Sequence, residues 1–370
     1  MRRLLVTGGA GFIGANFVHY WASRYPDDRL VVLDALTYAG NVASIDALIN
    51  AGKIRFVHGD IRDTDLAKSL LREERLDTVV HFAAESHVDR SIHGPDLFLS
   101  TNVLGTMSLL EACRGVWLDE RDFPHRFHHV STDEVFGSLR EGEPAFVESR
   151  PYAPNSPYAA SKAASDHLVR AWHHTYGLQV TTSNCSNNFG PFHFPEKLIP
   201  LVILNILRGR KLPVYGDGRN IRDWLYVEDH CAGLDRVLTD GVVGETYNIG
   251  GQCERRNIEI VESLCDLVDA AFAADPGLVS RFPDAQPANG GNSRSLITFV
   301  KDRPGHDWRY AIDATKAARE LAFSPSIGFD EGLRRTVAWY LGNKSWWSGV
   351  LDGSYKDWIE RNYGPDAGSA

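Results

Sequence analysis

No apolar stretch in this 370-residue chain approaches the ~20 residues that a membrane-spanning helix needs. The short run Leu4-Leu5-Val6 follows two arginines but is cut off by Thr7-Gly8-Gly9, too early for a signal h-region, so no secretory leader is expected. Cysteine is sparse as well. The five residues Cys113, Cys185, Cys231, Cys253 and Cys265 lie far apart with no C-x-x-C spacing. That argues against a disulfide framework or a zinc site, and for free thiols in a reducing cytoplasm. No ligand cluster calls for a metal, and none is expected. Positive charge is also in short supply: 39 Lys and Arg against 48 Asp and Glu leave a formal charge of −9. General nucleic-acid or anionic-membrane binding is disfavoured, while a local cationic pocket for phosphates stays open. What remains is an ordinary globular composition, 43% apolar and 24% charged, long enough for two domains or one large α/β unit.

The first 34 residues carry the clearest signal. Leu4-Leu5-Val6 reads as a buried strand, Gly8-Gly9-Ala10-Gly11-Phe12-Ile13-Gly14 as a turn, and Ala15 to Trp21 as a helix. Leu30-Val31-Val32-Leu33 is the next strand, and it ends in Asp34. Strand, glycine turn, helix, strand and acid form the fingerprint of a dinucleotide site. Missing β-carbons let the turn bend and let backbone N–H groups approach a pyrophosphate, which the helix N-terminus also attracts. Asp34 would accept hydrogen bonds from a ribose 2′-OH and repel a 2′-phosphate, so NAD is favoured over NADP. Lys53 to Ile61 supplies a further strand ending in Asp60, suited to the adenine edge, and Thr78 to Ala84 a strand running into small residues.

A long helix is predicted over Asp96 to Trp117, then a strand over Phe127 to Val130 that delivers Ser131-Thr132-Asp133-Glu134 at its C-terminal end. In an open parallel sheet that edge is where ligands bind. A helix is predicted from Pro157 to about Tyr176, with Tyr158 and Lys162 one turn apart on one face. An ammonium there is expected to lower the phenol's proton affinity and so fit Tyr158 to act as base toward an alcohol.

With these residues in view, the chain resembles the extended short-chain dehydrogenase/reductases, and within them the nucleotide-sugar 4,6-dehydratase branch. The resemblance covers nearly the whole chain. It runs through Gly8–Gly14, His81–Ser91, Ser131–Gly137, Tyr158 with Lys162, Asn187–Pro191, Phe194–Pro200, Leu212–Gly218, Ile221–Trp224 and the Lys301–Asp307 segment. The glycine turn and the Tyr/Lys pair belong to the whole superfamily; Thr132-Asp133-Glu134 together with Lys301–Asp307 is far more specific. Relatives commonly have Tyr where Phe136 stands and Lys where Ala35 stands.

The resemblance implies an α/β fold, a Rossmann-type doubly wound parallel sheet with a smaller mixed C-terminal substrate domain. The expected division is 1–188 for NAD and 189–370 mainly for the nucleotide sugar, with segments near 221–250 returning to the first. Stretch 273–295 is expected to be a mobile insertion and a candidate lid. The implied reaction converts dTDP-glucose to the 4-keto-6-deoxy sugar and water, with UDP-glucose as the alternative substrate. Tyr158 takes the C4 hydroxyl proton, Glu134 the C5 proton, and Asp133 protonates the departing C6 hydroxyl. Thr132 holds the C4 oxygen, and Lys162 the nicotinamide ribose. The cofactor is a tightly bound NAD, expected on Gly8, Gly11, Phe12, Ile13, Gly14, Asp34, Leu36, Thr37, Asp60, Ile61, Ala83, Ala84, Ser86, Thr101, Tyr158, Lys162 and Asn188. The substrate is expected on His87, Thr132, Asn187, Glu196, Lys197, Leu198, Asn257, an apolar wall at Pro213 and Tyr215, and the cations Arg222, Arg303 and His306. A homodimer built from the helices near 96–117 and 158–176 is implied too.

Three rival readings are weighed against this one. A nucleotide-sugar 4-epimerase needs no acid and base at C6 and C5, and a UDP-glucuronate decarboxylase would bring a carboxylate that Asp133 repels. An NAD-sensing protein without catalysis has no use for Tyr158, Lys162, Asp133 and Glu134 together. The aromatic tail, Trp339, Tyr340, Trp346, Trp347 and Trp358, is read as domain packing.

Overall fold

The computed structural model describes residues 1–120, 123–302 and 305–351, so Arg303, Pro304 and Trp358 lie outside the described residues. Among those residues twelve strands form three sheets. In chain order they are β1 (Arg3–Thr7), β2 (Arg29–Asp34), β3 (Arg55–His58), β4 (Thr78–His81), β5 (Arg126–Thr132), β6 (Val180–Cys185), β7 (Asn187–Phe189), β8 (Leu212–Tyr215), β9 (Ile221–Tyr226), β10 (Thr246–Ile249), β11 (Glu254–Arg256) and β12 (Ile297–Val300).

The main sheet is seven-stranded and parallel, in the order β10-β6-β5-β4-β1-β2-β3. Its central strands are buried on both faces, which is why Leu4-Leu5-Val6 reads as an unbroken apolar run and not as an alternation. One apolar cluster, with Leu70, Leu109 and Trp117, covers one face; another, with Phe17, Trp21 and Leu234, covers the other. The chain reverses direction of travel between β1 and β4, and a ligand crevice opens at such a point above the strand ends.

The second layer is a three-stranded sheet, β11-β9-β7, and a β12-β8 pair, packed on the helices Leu198–Leu207, Asn257–Ala274 and Phe329–Gly342. Segment 221–250 divides: β9 joins the small sheet, and β10 forms the outer strand of the large one. The tail packs as domain core. Tyr340 and Trp347 are buried, Trp339 meets Phe192 edge-on at 4.9 Å, and Trp346 Nε1 donates to Ser44 Oγ at 3.2 Å.

Two elements differ from expectation. The predicted helix over 96–117 is continuous from Pro95 to Asp119 but widens to π-helical geometry at Leu99–Gly105 and again at Gly115–Asp119. Stretch 273–295, expected to be a mobile insertion, is built into the core: Leu278, Phe282 and Ala285 are buried in the main cluster of the second layer. Arg294 grips Asp266 at 2.7 and 2.6 Å, and Ser293 N donates to Asp269 at 3.1 Å. Its apolar residues find partners at irregular spacing, which is why no period showed in the sequence.

Candidate active site

The helix Pro157–Tyr176 begins under tight local control. Ser156 Oγ accepts from Ala159 N at 3.1 Å and Pro157 takes the first position, where its missing N–H costs nothing. The helix ends at Gly177, which is left-handed at φ +82°. These ends set the rotation that turns Tyr158 and Lys162 toward β5. Lys162 is buried, and its Nζ donates to Val130 O at 2.8 Å. Asn102, in the first widened stretch of the preceding helix, joins the two sides. Its side chain accepts from Glu85 N at 2.8 Å and donates to Glu85 O at 2.9 Å and Ser161 Oγ at 2.8 Å.

β5 ends in Thr132, and residues Asp133–Phe136 coil at once into a single tight turn. Thr132 Oγ1 accepts from Glu134 N at 3.3 Å, lies 3.4 Å from Asp133 Oδ1 and hydrogen-bonds the Tyr158 phenol. Asp133 is 2% exposed. Burial holds its carboxyl well above the usual carboxylate range, and the negative charges of Glu134 and Asp223 add to that, against the pull of Arg222. Burial therefore favours the protonated form of Asp133. Tyr158 departs from the sequence expectation. Its proton affinity is raised by burial and then by Glu134, with the Thr132 hydrogen bond opposing, while the Lys162 ammonium is turned to the Val130 carbonyl.

Tyr158, Lys162, Thr132, Asp133 and Glu134 all face one cavity of about 370 Å³ that runs across the sheet's switch point. Every expected cofactor residue lines it except Leu36, whose N–H is occupied by Asp34 Oδ1 at 2.8 Å. Several features fit a dinucleotide. The helix Phe12–Arg24 opens on the cavity at Gly11, with no side-chain cap and no acid in its first turn, so its N-terminal partial charge is unneutralised. At Gly11 a β-carbon would meet little besides Gly8 O at 3.3 Å, which leaves that backbone open to approach. Gly8 has a different reason to be glycine: φ is +71°, and a β-carbon would lie 2.6 Å from Ala83 N. Asp34 accepts from Ala10 N at 2.9 Å, which ties the turn to β2. Asp60 at the rim is held by Arg62, whose Nη2 donates to it at 2.6 Å.

Of the expected substrate residues, Thr132, Asn187, Glu196, Lys197 and Leu198 line the cavity. His87, Pro213, Tyr215, Arg222, Asn257 and His306 do not. His87 caps the helix Val88–His93, and Pro213 pairs with Thr298 inside a strand. Tyr215 OH donates to Asp89 at 3.2 Å, and His306 Nδ1 meets Asp302 at 2.6 Å. Asn257 opens the helix Asn257–Ala274 and donates its backbone N–H to Asn220 O at 3.0 Å. Arg222 is buried, donating to the carbonyls of Ile221 and Asp307 at 2.7 and 3.0 Å and lying 4.2 Å over the Tyr310 ring. Sequence reasoning assigned Arg222 to a diphosphate; in the fold its fork clamps the 307–308 turn. Missed altogether were Cys185, His193 and Trp224. In the sequence Cys185 reads only as a free thiol, Trp224 only as the end of the Ile221–Trp224 motif, and His193, which stacks on Phe12 at 4.0 Å, sits one residue before the Phe194–Pro200 motif.

A family model described as GDP-mannose 4,6 dehydratase matches residues 5–336. The chain belongs to this family. Within it, a dTDP-glucose 4,6-dehydratase of Xanthomonas campestris pv. campestris (strain B100) is 56% identical over 360 residues, covering 96% of this chain and 98% of that one. The crystal structure of a dTDP-glucose 4,6-dehydratase from Streptomyces venezuelae, with NAD and TYD bound, is 47% identical, with a TM-score of 0.83 over 94% of this chain and 99% of that one. A UDP-glucose 4-epimerase from Thermus thermophilus, in complex with NAD, shares the fold at lower identity: 28%, with a TM-score of 0.77 over 92% of this chain and 99% of that one.

Proposed function

We infer that this chain is an NAD-dependent hydro-lyase that converts dTDP-glucose to dTDP-4-keto-6-deoxyglucose and water. The observation that carries this reading is the pair Asp133 and Glu134, one carboxyl buried so that its protonated form is favoured, beside another at the same cavity as Tyr158. An acid that favours its proton, next to a second carboxyl, suits an elimination, which needs a proton removed at one carbon and another delivered to the hydroxyl leaving the next. Epimerisation needs neither. The higher identity to the dehydratases than to the epimerase points the same way.

Each side chain then has a task. Thr132 and Tyr158 share the sugar's C4 oxygen, and Tyr158 accepts its proton as the phenolate, a form that the positive charge of bound NAD would favour against the raised affinity of the protein alone. Bound NAD supplies the acceptor for the C4 hydride and the donor that returns it to C6. The ketone at C4 acidifies the C5 proton, which Glu134 removes, while Asp133 passes its proton to the C6 hydroxyl as that leaves as water; once the hydride has reached C6, C5 takes a proton back. The Gly8–Gly14 turn, Asp34 and Lys162 would hold the cofactor; Asn187, Glu196, Lys197 and Leu198 would hold the sugar. Buried polar atoms support the second assignment: Asp133 Oδ2, Asn187 Oδ1, Glu196 Oε1 and Trp224 Nε1 have no hydrogen-bond partner among the described residues. Sugar hydroxyls would relieve a cost of roughly 1–3 kcal/mol for each.

We assign residues 1–188 mainly to NAD and 189–370 mainly to the nucleotide sugar, in a homodimer. Exposed Leu97, Leu99, Leu104 and Met107 on the 95–119 helix support the dimer, and light scattering tests it. The five free thiols keep the cytoplasm as the expected compartment. The decisive experiment incubates purified protein with dTDP-glucose or UDP-glucose, without added NAD. A 4-keto-6-deoxy product from dTDP-glucose is expected. Product from UDP-glucose alone would move the substrate, and a 4-epimer would return the epimerase reading.

A further inference from the structure

One buried carboxylate beneath the site has no part in the chemistry above. Asp166 lies on the same helix as Tyr158 and Lys162, so the three stand at i, i+4 and i+8 on one face. Its side chain is buried, and it accepts three hydrogen bonds. Tyr152 OH donates to it at 2.9 Å and Ser131 Oγ at 2.8 Å, both to Oδ2; His129 Nε2 lies 3.0 Å from Oδ1. His129 and Ser131 are alternate residues of β5, on one face of the strand. Between them stands Val130, whose carbonyl receives the Lys162 ammonium. The ammonium thus holds Val130 by its carbonyl and the carboxylate holds His129 and Ser131 by their side chains, so that two buried charges one helical turn apart, without a direct ion pair, grip three consecutive residues immediately ahead of Thr132-Asp133-Glu134.

A buried ammonium needs a compensating charge. Burial lowers the proton affinity of Lys162, and Asp166 is the largest influence holding it up, followed by Cys185 on β6. The other groups around Asp166 are poor substitutes. His129 is kept neutral by burial and by Lys162, and so is His81 of β4, whose ring lies 5.3 Å from that of His129. Tyr152 donates to Asp166 and accepts from Asn184 Nδ2 at 3.5 Å but brings no negative charge, and His167, next along the helix, lowers the Asp166 proton affinity.

We propose that Asp166 is the buried counter-charge of Lys162, a positioning residue that keeps the ammonium charged and its grip on the end of β5 intact during oxidation at C4. The proposal rests on the dehydratase reading for the step it serves, but not for the charge pairing itself. Asp166 is pushed up to about 6 by burial, so it is anionic over the neutral range in which Lys162 must stay charged.

The test is the pH profile of kcat with dTDP-glucose in three variants of the holoenzyme. Asp166→Asn withdraws the anion, so Lys162 should lose its proton at lower pH. The alkaline limb should then move down by about one pH unit or more. Activity at the wild-type limb should fall about tenfold, with KM unchanged. Asp166→Glu keeps the charge and should restore the limb. Tyr152→Phe removes one donor, so the carboxylate should hold its proton to higher pH and the acid limb should move up. That variant and Asp166→Glu decide the matter if Asp166→Asn fails to fold. A folded Asp166→Asn protein with the wild-type alkaline limb, or Tyr152→Phe with the wild-type acid limb, overturns the proposal. Wild-type protein that makes no 4-keto product sinks the dehydratase reading instead. Titration of the Lys162 amine by NMR in wild type and Asp166→Asn would then still decide the pairing: a downward shift in the variant supports it, and equal values refute it.

Discussion

The two ends of the cavity are made differently. At the cofactor end the wall is backbone: Gly8 N donates to Leu33 O at 2.9 Å, Gly11 N to Gly8 O at 3.1 Å and Ala10 N to Asp34. All of it comes from one βαβ unit. At the sugar end the wall is side chain, drawn from Asp133, Asn187, Glu196, Lys197 and Trp224, which meet only after the second layer closes over the first. The turn at the cofactor end is thus braced by its own backbone, whereas at the sugar end Asp133, Asn187, Glu196 and Trp224 each hold a buried polar atom without a protein partner among the described residues. The contrast suggests that the first end binds by shape and the second by hydrogen-bond complementarity.

The sharpest way to break this comparison is at the chemistry between the two ends. Glu134→Gln should lower product formation by about 10²–10⁴-fold and stop exchange of the C5 proton with solvent, while NAD stays bound. Undiminished exchange removes Glu134 from its role. Next in size is Gly8→Ala, which attacks shape directly. The positive φ alone costs roughly 1–3 kcal/mol, and the new β-carbon strikes the Ala83 backbone. A clearly lower melting temperature and loss of co-purified NAD are expected; a variant that keeps both would show the turn to be more pliant than drawn.

Glu196→Gln tests the other end. Burial raises the Glu196 carboxyl from its ordinary 4.5 to about 7, against Lys197 and Arg90. Since the folded chain holds this proton more tightly than the unfolded one, stability should fall as pH climbs from about 4.5 to about 7. Glu196→Gln should flatten part of that slope in melting curves and raise KM for the sugar, with NAD retained. The smallest effect is expected at Asp60→Asn. Asp60 is part-exposed and paired with Arg62, a surface bridge worth about 0–1 kcal/mol. NAD affinity measured by fluorescence should change less than about fivefold.

Legibility followed the same divide. The glycine turn, Asp34 and the Tyr158–Lys162 pair could be read from spacing alone, because 3.6-residue and 2-residue periods fix which neighbours meet. The strand-end rule placed Thr132-Asp133-Glu134 at a ligand edge, but their roles came from the resemblance to the dehydratases. His193 and Trp224 could not be found that way, since their arrival depends on β9 crossing back beside β7. At Arg222 the fold adds what the motif could not show: three backbone carbonyls lie within reach of its guanidinium. Asp166 went unnoticed because a helical acid one turn beyond a lysine usually marks a solvated ion pair.

Lys162 and Asp166 hold residues 129–131, the first by main chain and the second by side chains, and neither bonds the side chains of Asp133 or Glu134. The frame that presents positions 133 and 134 is therefore indifferent to what stands there, like a tool holder that accepts different bits. Such a scaffold can change its reaction by exchanging two residues while its grip on the cofactor stays untouched. That offers a physical reason why dehydratases and an epimerase only 28% identical to this chain share one architecture.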